Sequence, residues 1–459
     1  MKKLLFLKFC LYFSVFTVFI TAGFASPIQQ PGPDPQIVAA LKQISAKRIQ
    51  ADIEKLGSFH NRSTLSAQDP ASIAAGRGIG AAREWIKSEF ERYSQDCGGC
   101  LDVKTDSFTE GPASRIPQPT VITNVYAVLK GTDSNNARRV VLVTGHYDSR
   151  NTDVLDVTGA APGANDDASG TAVSLECARV LSKLKFPATI VFLAVAGEEQ
   201  GLNGSRHFAA LAKSSGWDVE AAFNNDIVGG DLIPQQNAGV VRVFSEGVPL
   251  TASDTSLRLL KNLGGEDDSP SRELARYIAE TAQVYSTQVK PFLVFRLDRY
   301  LRGGDHIPFL EQGFPAVRFT EYREDFNHEH QNLRTENGVE YGDLPKFVDF
   351  TYVAHVAALN AAALASLAAA PAPPEKVRLV TQNLQNDSTI TWEPPSTNPS
   401  ARYQVLWRLT TSSEWEQMQD VGNETRVTLP VSKDNVIFAV RALDEHNHAS
   451  VPVVPQPER

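Results

Sequence analysis

Asp166 and Asp167 stand side by side in GANDDASG, residues 163–170. Adjacent carboxylates repel, so a fold that keeps both must offset them with a hydrogen-bonded turn or a cation. Residues of the same chemical kind recur along the chain: His146 and Asp148 in TGHYDS, Glu198 and Glu199 in AVAGEEQG, and Asp226 at the end of NND. Any one of them alone reads as a helix cap or a hydrogen-bonded strand end. Gathered in one place, four or five carboxylates would repel and be costly to desolvate unless divalent cations lay among them. A mixed imidazole and carboxylate set suits zinc, and less specifically manganese or cobalt; calcium prefers oxygen alone. One aspartate of the 166–167 pair is therefore expected to hold metal, and its neighbour to cap the next helix or orient the site.

The surrounding elements must bring these groups together. VVLVTGHYDS reads as a buried strand and DASGTAVSLECARVLSKL as a helix. ATIVFLAVAGEE reads as a second strand, followed by a helix through SRHFAALAKSS, and AAFNNDIVG as a third strand. PAVRFTE is a later strand, and FVDFTYVAHVAALNAAALASLA a closing helix. Residues 35–60 and 75–95 carry the spacing of amphipathic helices. Continuous apolar strands between helices predict an α/β fold with a mixed, mostly parallel sheet sandwiched by helices. Ligands of such sheets bind outside the carboxyl ends of the strands, where these polar groups fall. Segment 250–290 is longer than the core needs and is expected to form a lid or specificity wall, or else a surface excursion.

The texture changes at AAAPAPPEK, an Ala/Pro linker over residues 368–376. Beyond it, residues 377–459 alternate with period two, which predicts a small all-β sandwich. The order of Trp392, YQVLWR and FAVRALDEHNHAS resembles a fibronectin type III module. Such a module carries no chemistry of its own and is expected to bind a protein or polysaccharide surface, or to act as a spacer.

The other end reads as an address. Lys2 and Lys3 precede a long apolar run that closes on Gly23-Phe24-Ala25, the pattern of a signal peptide (residues 1–25) cut before Ser26. An uncleaved anchor is the rival reading. No other stretch is expected to approach the ~20 apolar residues that span a bilayer. The mature protein, from residue 26, is thus expected to be secreted or periplasmic, without a stable membrane anchor. Cys97 and Cys100, in CGGC, are expected to form a structural disulfide suited to an oxidising compartment, and Cys177 to be core. A net charge of −9 disfavours nucleic acid and anionic membranes as partners.

Together, TGHYDS, PGANDDASG, AVAGEEQGLNGS, NND and GGDHIPFLEQGFPAVRFTE resemble the secreted two-zinc aminopeptidases, the family of bacterial leucyl aminopeptidases. The likeness runs through residues 40–367, so 26–367 is expected to be the catalytic domain. It implies two zinc ions, with His146 and Asp226 as ligands, Asp166 bridging both metals, Glu199 as a ligand, and Glu198 as general base and acid. The last ligand is a late histidine. His306 lies in a segment where the family's histidine is not the usual ligand, and HEHQNL aligns His328 with the ligand in preference to His330. Asn327 stands where a tyrosine sometimes binds the substrate carbonyl, leaving Tyr322 as a possible substitute. Asp148, two residues after His146, is expected to accept the imidazole's other N–H.

The implied activity is removal of N-terminal residues from peptides with a free amino end. Three rivals share the fold. A glutaminyl cyclase would use one zinc, and a receptor-like binding protein would have lost its metals; the full ligand set argues against both. A carboxypeptidase needs a carboxylate-binding arginine, for which Arg302, Arg318 and Arg323 are the nearby candidates.

Overall fold

A computed structural model describes residues 26–27, 32–382, 384–397 and 401–458. The expected signal peptide, residues 1–25, lies outside them. The larger body is built on one eight-stranded sheet. Its strands are β1 (Leu101–Glu110), β2 (Thr120–Leu129), β3 (Arg139–His146), β4 (Thr189–Val195), β5 (Asp218–Asn225), β6 (Val240–Ser245), β7 (Lys290–Val294) and β8 (Ala316–Glu321). They lie in the order β1-β2-β4-β3-β5-β8-β6-β7. The four central strands, β4, β3, β5 and β8, run parallel. The flanks turn antiparallel, β2 against β4 and β6 against β8. The expected mixed, mostly parallel sheet is what forms.

Every residue of β3 and β4 is buried, as continuous Val, Ile and Leu runs require when both faces are covered. The covering helices are α1 (Ala46–Gly57), α2 (Gly78–Asp96), α3 (Ser169–Leu181), α4 (Asn203–Ser214), α5 (Pro270–Val284) and α6 (Phe350–Ala369). Ser45 caps α1 by accepting from Arg48 N, and Asp349 caps α6 by accepting from Thr351 and Tyr352 N. Contrary to expectation, α6 is itself long and apolar enough to cross a membrane. It is buried along most of its length and packs on α3, α5 and α1 as the central helix of one face.

β4 and β5 lie on opposite sides of β3. The crevice where chain direction parts around β3 is the natural ligand site of such a sheet. Two glycines close it. A Cβ on Gly145 would come within 2.3 Å of the Gly170 backbone, and one on Gly170 within 2.1 Å of the Asn225 carbonyl. Only glycine lets the start of α3 sit against the ends of β3 and β5.

Between α6 and the last body, the extended link is shorter than the sequence suggests. The helix runs through Ala369 and the next strand starts at Glu375. Beyond it lie two four-stranded sheets around a separate core that includes Trp392, Tyr403 and Trp407. Ser26–Pro27 forms the edge strand of one of these sheets, paired with Gln417 and Met418. This body is docked on α5. Arg276 donates to Ser413 O at 2.7 Å, Trp415 Nε1 to Glu273 at 3.0 Å, Arg441 to Glu280 at 2.6 Å, and Arg408 pairs with Asp268. Segment 250–290 thus supplies a docking face through Asp268, Glu273, Arg276 and Glu280. Cys97 and Cys100 are joined as a disulfide just past α2, and Cys177 is buried and free.

Candidate metal centre

His146 ends β3, Glu198 and Glu199 follow β4, and Asp226 follows β5. Asp166 and Asp167 lie in the turn before α3. These pieces converge on Asp166. Its Oδ1 lies 3.1 Å from His146 Nε2, which is 3.9 Å from Asp226 Oδ1. Its Oδ2 lies 2.9 Å from His330 Nε2, which is 3.0 Å from Glu199 Oε1. One carboxylate therefore presents one oxygen to each of two donor triads: His146, Asp166 and Asp226, and Asp166, Glu199 and His330.

The donor set fits zinc. It offers two imidazoles and three carboxylates, spaced near the ~3.4 Å edge of a tetrahedron with bonds of about 2.1 Å. Glu199 Oε1 is buried without a hydrogen-bonding partner, as a group reserved for a cation would be. Burial lowers the His330 imidazole, but Glu199 and Asp166 outweigh it and push it up to about 11. Burial raises the Asp166 carboxyl, yet His330 and His146 hold it well below the usual carboxylate range. The field at this point strongly favours positive charge.

The structure places His330, rather than His328, beside Asp166 and Glu199. His328 does not reach either triad. Its ring stacks on Phe347 at 3.7 Å, and its Nδ1 meets Asp231 Oδ2 at 2.8 Å. His330 takes the place beside Asp166 and Glu199, in a left-handed backbone conformation (φ 52°) that follows the short turn. His306 is buried and hydrogen-bonded to Leu297 O at 2.9 Å, outside both triads.

Around the triads each group is held. Asp167 accepts His146 N at 2.9 Å and Gly170 N at 2.8 Å, joining the strand end to the helix start. Burial pushes its carboxyl well up; His146 opposes the shift, and Asp226 and Asp166 add to it. Asp148 Oδ1 lies 3.4 Å from His146 Nδ1, while its Oδ2 accepts Thr64 Oγ1 at 3.0 Å. Glu198 belongs to neither triad and faces the same cavity, of about 680 Å³, as Asp166, Glu199, Asp226 and His330. Burial raises its carboxyl well above the ordinary value; His146 opposes, and Glu199 and Asp226 add.

Several supporting residues escaped the sequence. Asp343 accepts Asn165 N and Asp166 N, each at 2.7 Å, and so sets the bridging turn. Arg62, fully buried, donates to Tyr147 O at 2.8 Å and to Gly163 O at 2.9 Å, pinning β3's exit to the same turn. Neither carries a motif, and nothing local marks them. Arg318 is no carboxylate receptor: it is buried between Asp226 and Asp298. Arg302 lines the cavity paired with Glu324, and Arg323 is exposed on the surface. Tyr322 packs edge-on against Phe292 and does not line the cavity.

Comparison with known proteins identifies the family and the fold. The sequence model described as "Peptidase family M28" matches residues 124–347. A probable zinc metalloprotease of Leptosphaeria maculans is 48% identical over 431 residues, covering 93% of this chain and 98% of that one. The LapA aminopeptidase of Legionella pneumophila superposes with a TM-score of 0.51 at 22% identity, over 74% of this chain and 77% of that one. A glutaminyl cyclase of Macrostomum lignano superposes with a TM-score of 0.50 at 16% identity, over 74% and 94%. At such identities the two structures speak for a shared fold alone.

Proposed function

We propose that this chain, which belongs to peptidase family M28 and is a zinc metalloprotease, is an aminopeptidase that works at a centre of two zinc ions. The observation that carries the proposal is Asp166, whose two oxygens each face a separate donor triad, with Glu198 in the same cavity. His146, Asp166 and Asp226 would hold one ion; Asp166, Glu199 and His330 would hold the other. Bound zinc supplies Lewis acidity that lowers the pKa of a water and polarises the scissile carbonyl.

The chain's own residues do the rest. Glu198 accepts the proton from the attacking water and returns it to the leaving amine as the C–N bond breaks. It is free to do so because Glu199, its neighbour, is spent in a triad. Asp148 and Asp167 keep the His146 ring and backbone in place, so the imidazole offers Nε2 to the site. Glu329, buried with neither carboxylate oxygen hydrogen-bonded, lines the cavity beside His330. Burial pushes its carboxyl well up, and its unpaired oxygens offer hydrogen-bond acceptors to an ammonium group on that flank, which supports the amino end of a peptide as the one taken.

The chain's apolar leader and its disulfide support export to an oxidising space, where residues 1–25 are removed. The two terminal sheets support a fibronectin type III-like module over residues 377–459, with the catalytic domain before it.

Hydrolysis of leucine 4-nitroanilide by the purified protein tests the proposal. Activity lost to a chelator and restored by zinc is the expected result. A folded protein that binds two zinc ions and leaves the anilide intact would overturn the aminopeptidase assignment.

A further inference from the structure

Four arginines line the candidate active-site cavity: Arg115, Arg150, Arg299 and Arg302. Two of them are neutralised. Arg299 and Arg302 both reach Glu324 Oε2, at 2.8 Å and 2.7 Å. The other two are not. Among the described residues, neither Arg115 nor Arg150 pairs with a carboxylate. Each is fixed by backbone carbonyls instead. Arg115 Nη1 donates to Glu199 O at 2.9 Å. Arg150 donates to Asn151 O and to Thr152 O, each at 3.0 Å.

A carbonyl anchor orients a guanidinium without cancelling its charge, and it leaves the rest of the donor fork open. The anchors also tie both groups to the reaction centre. Arg115 is bonded to the main chain of Glu199, a triad member, and Arg150 lies four residues beyond His146, past the end of β3. Arg115 comes from the β1–β2 connection and so stands on the β2 side of the crevice. Glu329 and Arg302 flank β8 in sequence, and β8 lies beyond β5 on the other side. The cavity is therefore polar along its length, with the uncompensated Arg115 at one flank and the buried Glu329 at the other, and with Arg150 anchored to Thr152, which is bonded to Asn332 at 3.2 Å.

We infer that Arg115 and Arg150 form a carboxylate-binding subsite, and that the preferred substrates are short peptides bearing a carboxylate on the leaving side of the scissile bond. This rests on the aminopeptidase assignment for its direction: the ammonium lies towards Glu329 and the carboxylate towards the arginines. A C-terminal carboxylate one residue past the scissile bond and an acidic side chain in that position share the same chemistry. Both offer an anion that a guanidinium fork binds with charge-assisted hydrogen bonds.

Matched pairs of peptides separate the two sources. Leu-Gly against Leu-Gly amide reads the terminal carboxylate, and Leu-Glu amide against Leu-Gln amide reads the side chain. Each pair is compared twice, as kcat/KM with the zinc-loaded enzyme and as calorimetric affinity for the zinc-loaded Glu198→Gln variant. The anionic member of at least one pair is expected to be favoured by about ten- to a hundredfold, the range for a hydrogen bond to a charged group. In the Arg115→Gln, Arg150→Gln double variant that ratio is expected to fall to near one. Ratios near one in the unaltered enzyme, or a preference that survives the double variant, overturn the inference. Leucine anilide carries no carboxylate and serves as the separate control. If it is not cleaved while the binding ratio stands, the aminopeptidase assignment fails and the carboxylate subsite remains.

Discussion

Arg318 Nη2 lies 2.9 Å from Asp226 Oδ1, and both side chains are buried. The guanidinium also reaches Asp298 Oδ2 at 3.5 Å and donates to Gly303 O at 2.8 Å. A candidate ligand is thus aimed by a buried cation. Removing one partner from such a pair strands the other charge, at a cost of about 3–5 kcal/mol. Arg318→Met is expected to lower unfolding stability by that order in denaturant titrations. Arg318→Lys, which keeps the charge but loses the fork, should recover part of it. Equal stability of all three proteins would show that the pair does not hold the site.

Glu198→Gln tests the proton carrier. The variant is expected to fold, to bind the same number of zinc ions and to lose at least ~100-fold in kcat, the lower range for a positioned general base. Near-normal turnover would remove Glu198 from the role.

The two late histidines make opposite predictions. His330→Ala deletes one donor of the second triad, so the purified protein should retain about one zinc ion in elemental analysis. His328→Ala removes the stack on Phe347 and the bond to Asp231, so it should cost some stability and leave two ions bound. Loss of zinc in His328→Ala, with retention in His330→Ala, would reverse the assignment.

Asp52, on α1, gives a pH signature remote from the metals. Burial pushes its carboxyl up to about 8, with Glu89 and Glu176 adding to the shift. Its Oδ2 has no hydrogen-bonding partner. The folded state then binds more protons than the unfolded one between the ordinary carboxylate range and about pH 8. Its stability therefore falls as pH rises through that window. Asp52→Asn lacks that titration. Its melting temperature should exceed that of the parent near pH 8, with the gap closing towards pH 4. A gap independent of pH would mean that Asp52 is not held protonated.

Much of this was legible in short-range pattern. Continuous apolar runs before His146, Glu198 and Asp226 dictated buried strands, and the polar residues that end them had nowhere else to lie than the crevice mouth. The choice between His328 and His330 was not legible. Both stand in HEHQNL, and what separates them is a left-handed residue at 330 in a turn whose path depends on distant packing. Arg62 and Asp343, and the pairing of Arg318 with Asp226, were invisible for a related reason. Each acts across a gap of tens of residues or more, and spacing along the chain carries no trace of it. The length of α6 was underrated: a helix buried along most of its length has the span and composition of one in lipid.

The edge strand at Ser26–Pro27 bears on self-protection. An aminopeptidase, as proposed for this chain, would meet the amino ends of its own neighbouring copies among its substrates. Were the leader cut before Ser26, as proposed, the new amino end would not dangle: its backbone pairs with the strand at Gln417–Met418. To enter a neighbouring molecule's cavity that end would first have to peel away from the terminal body. The body that carries no chemistry would then serve as the guard of the chain's own beginning.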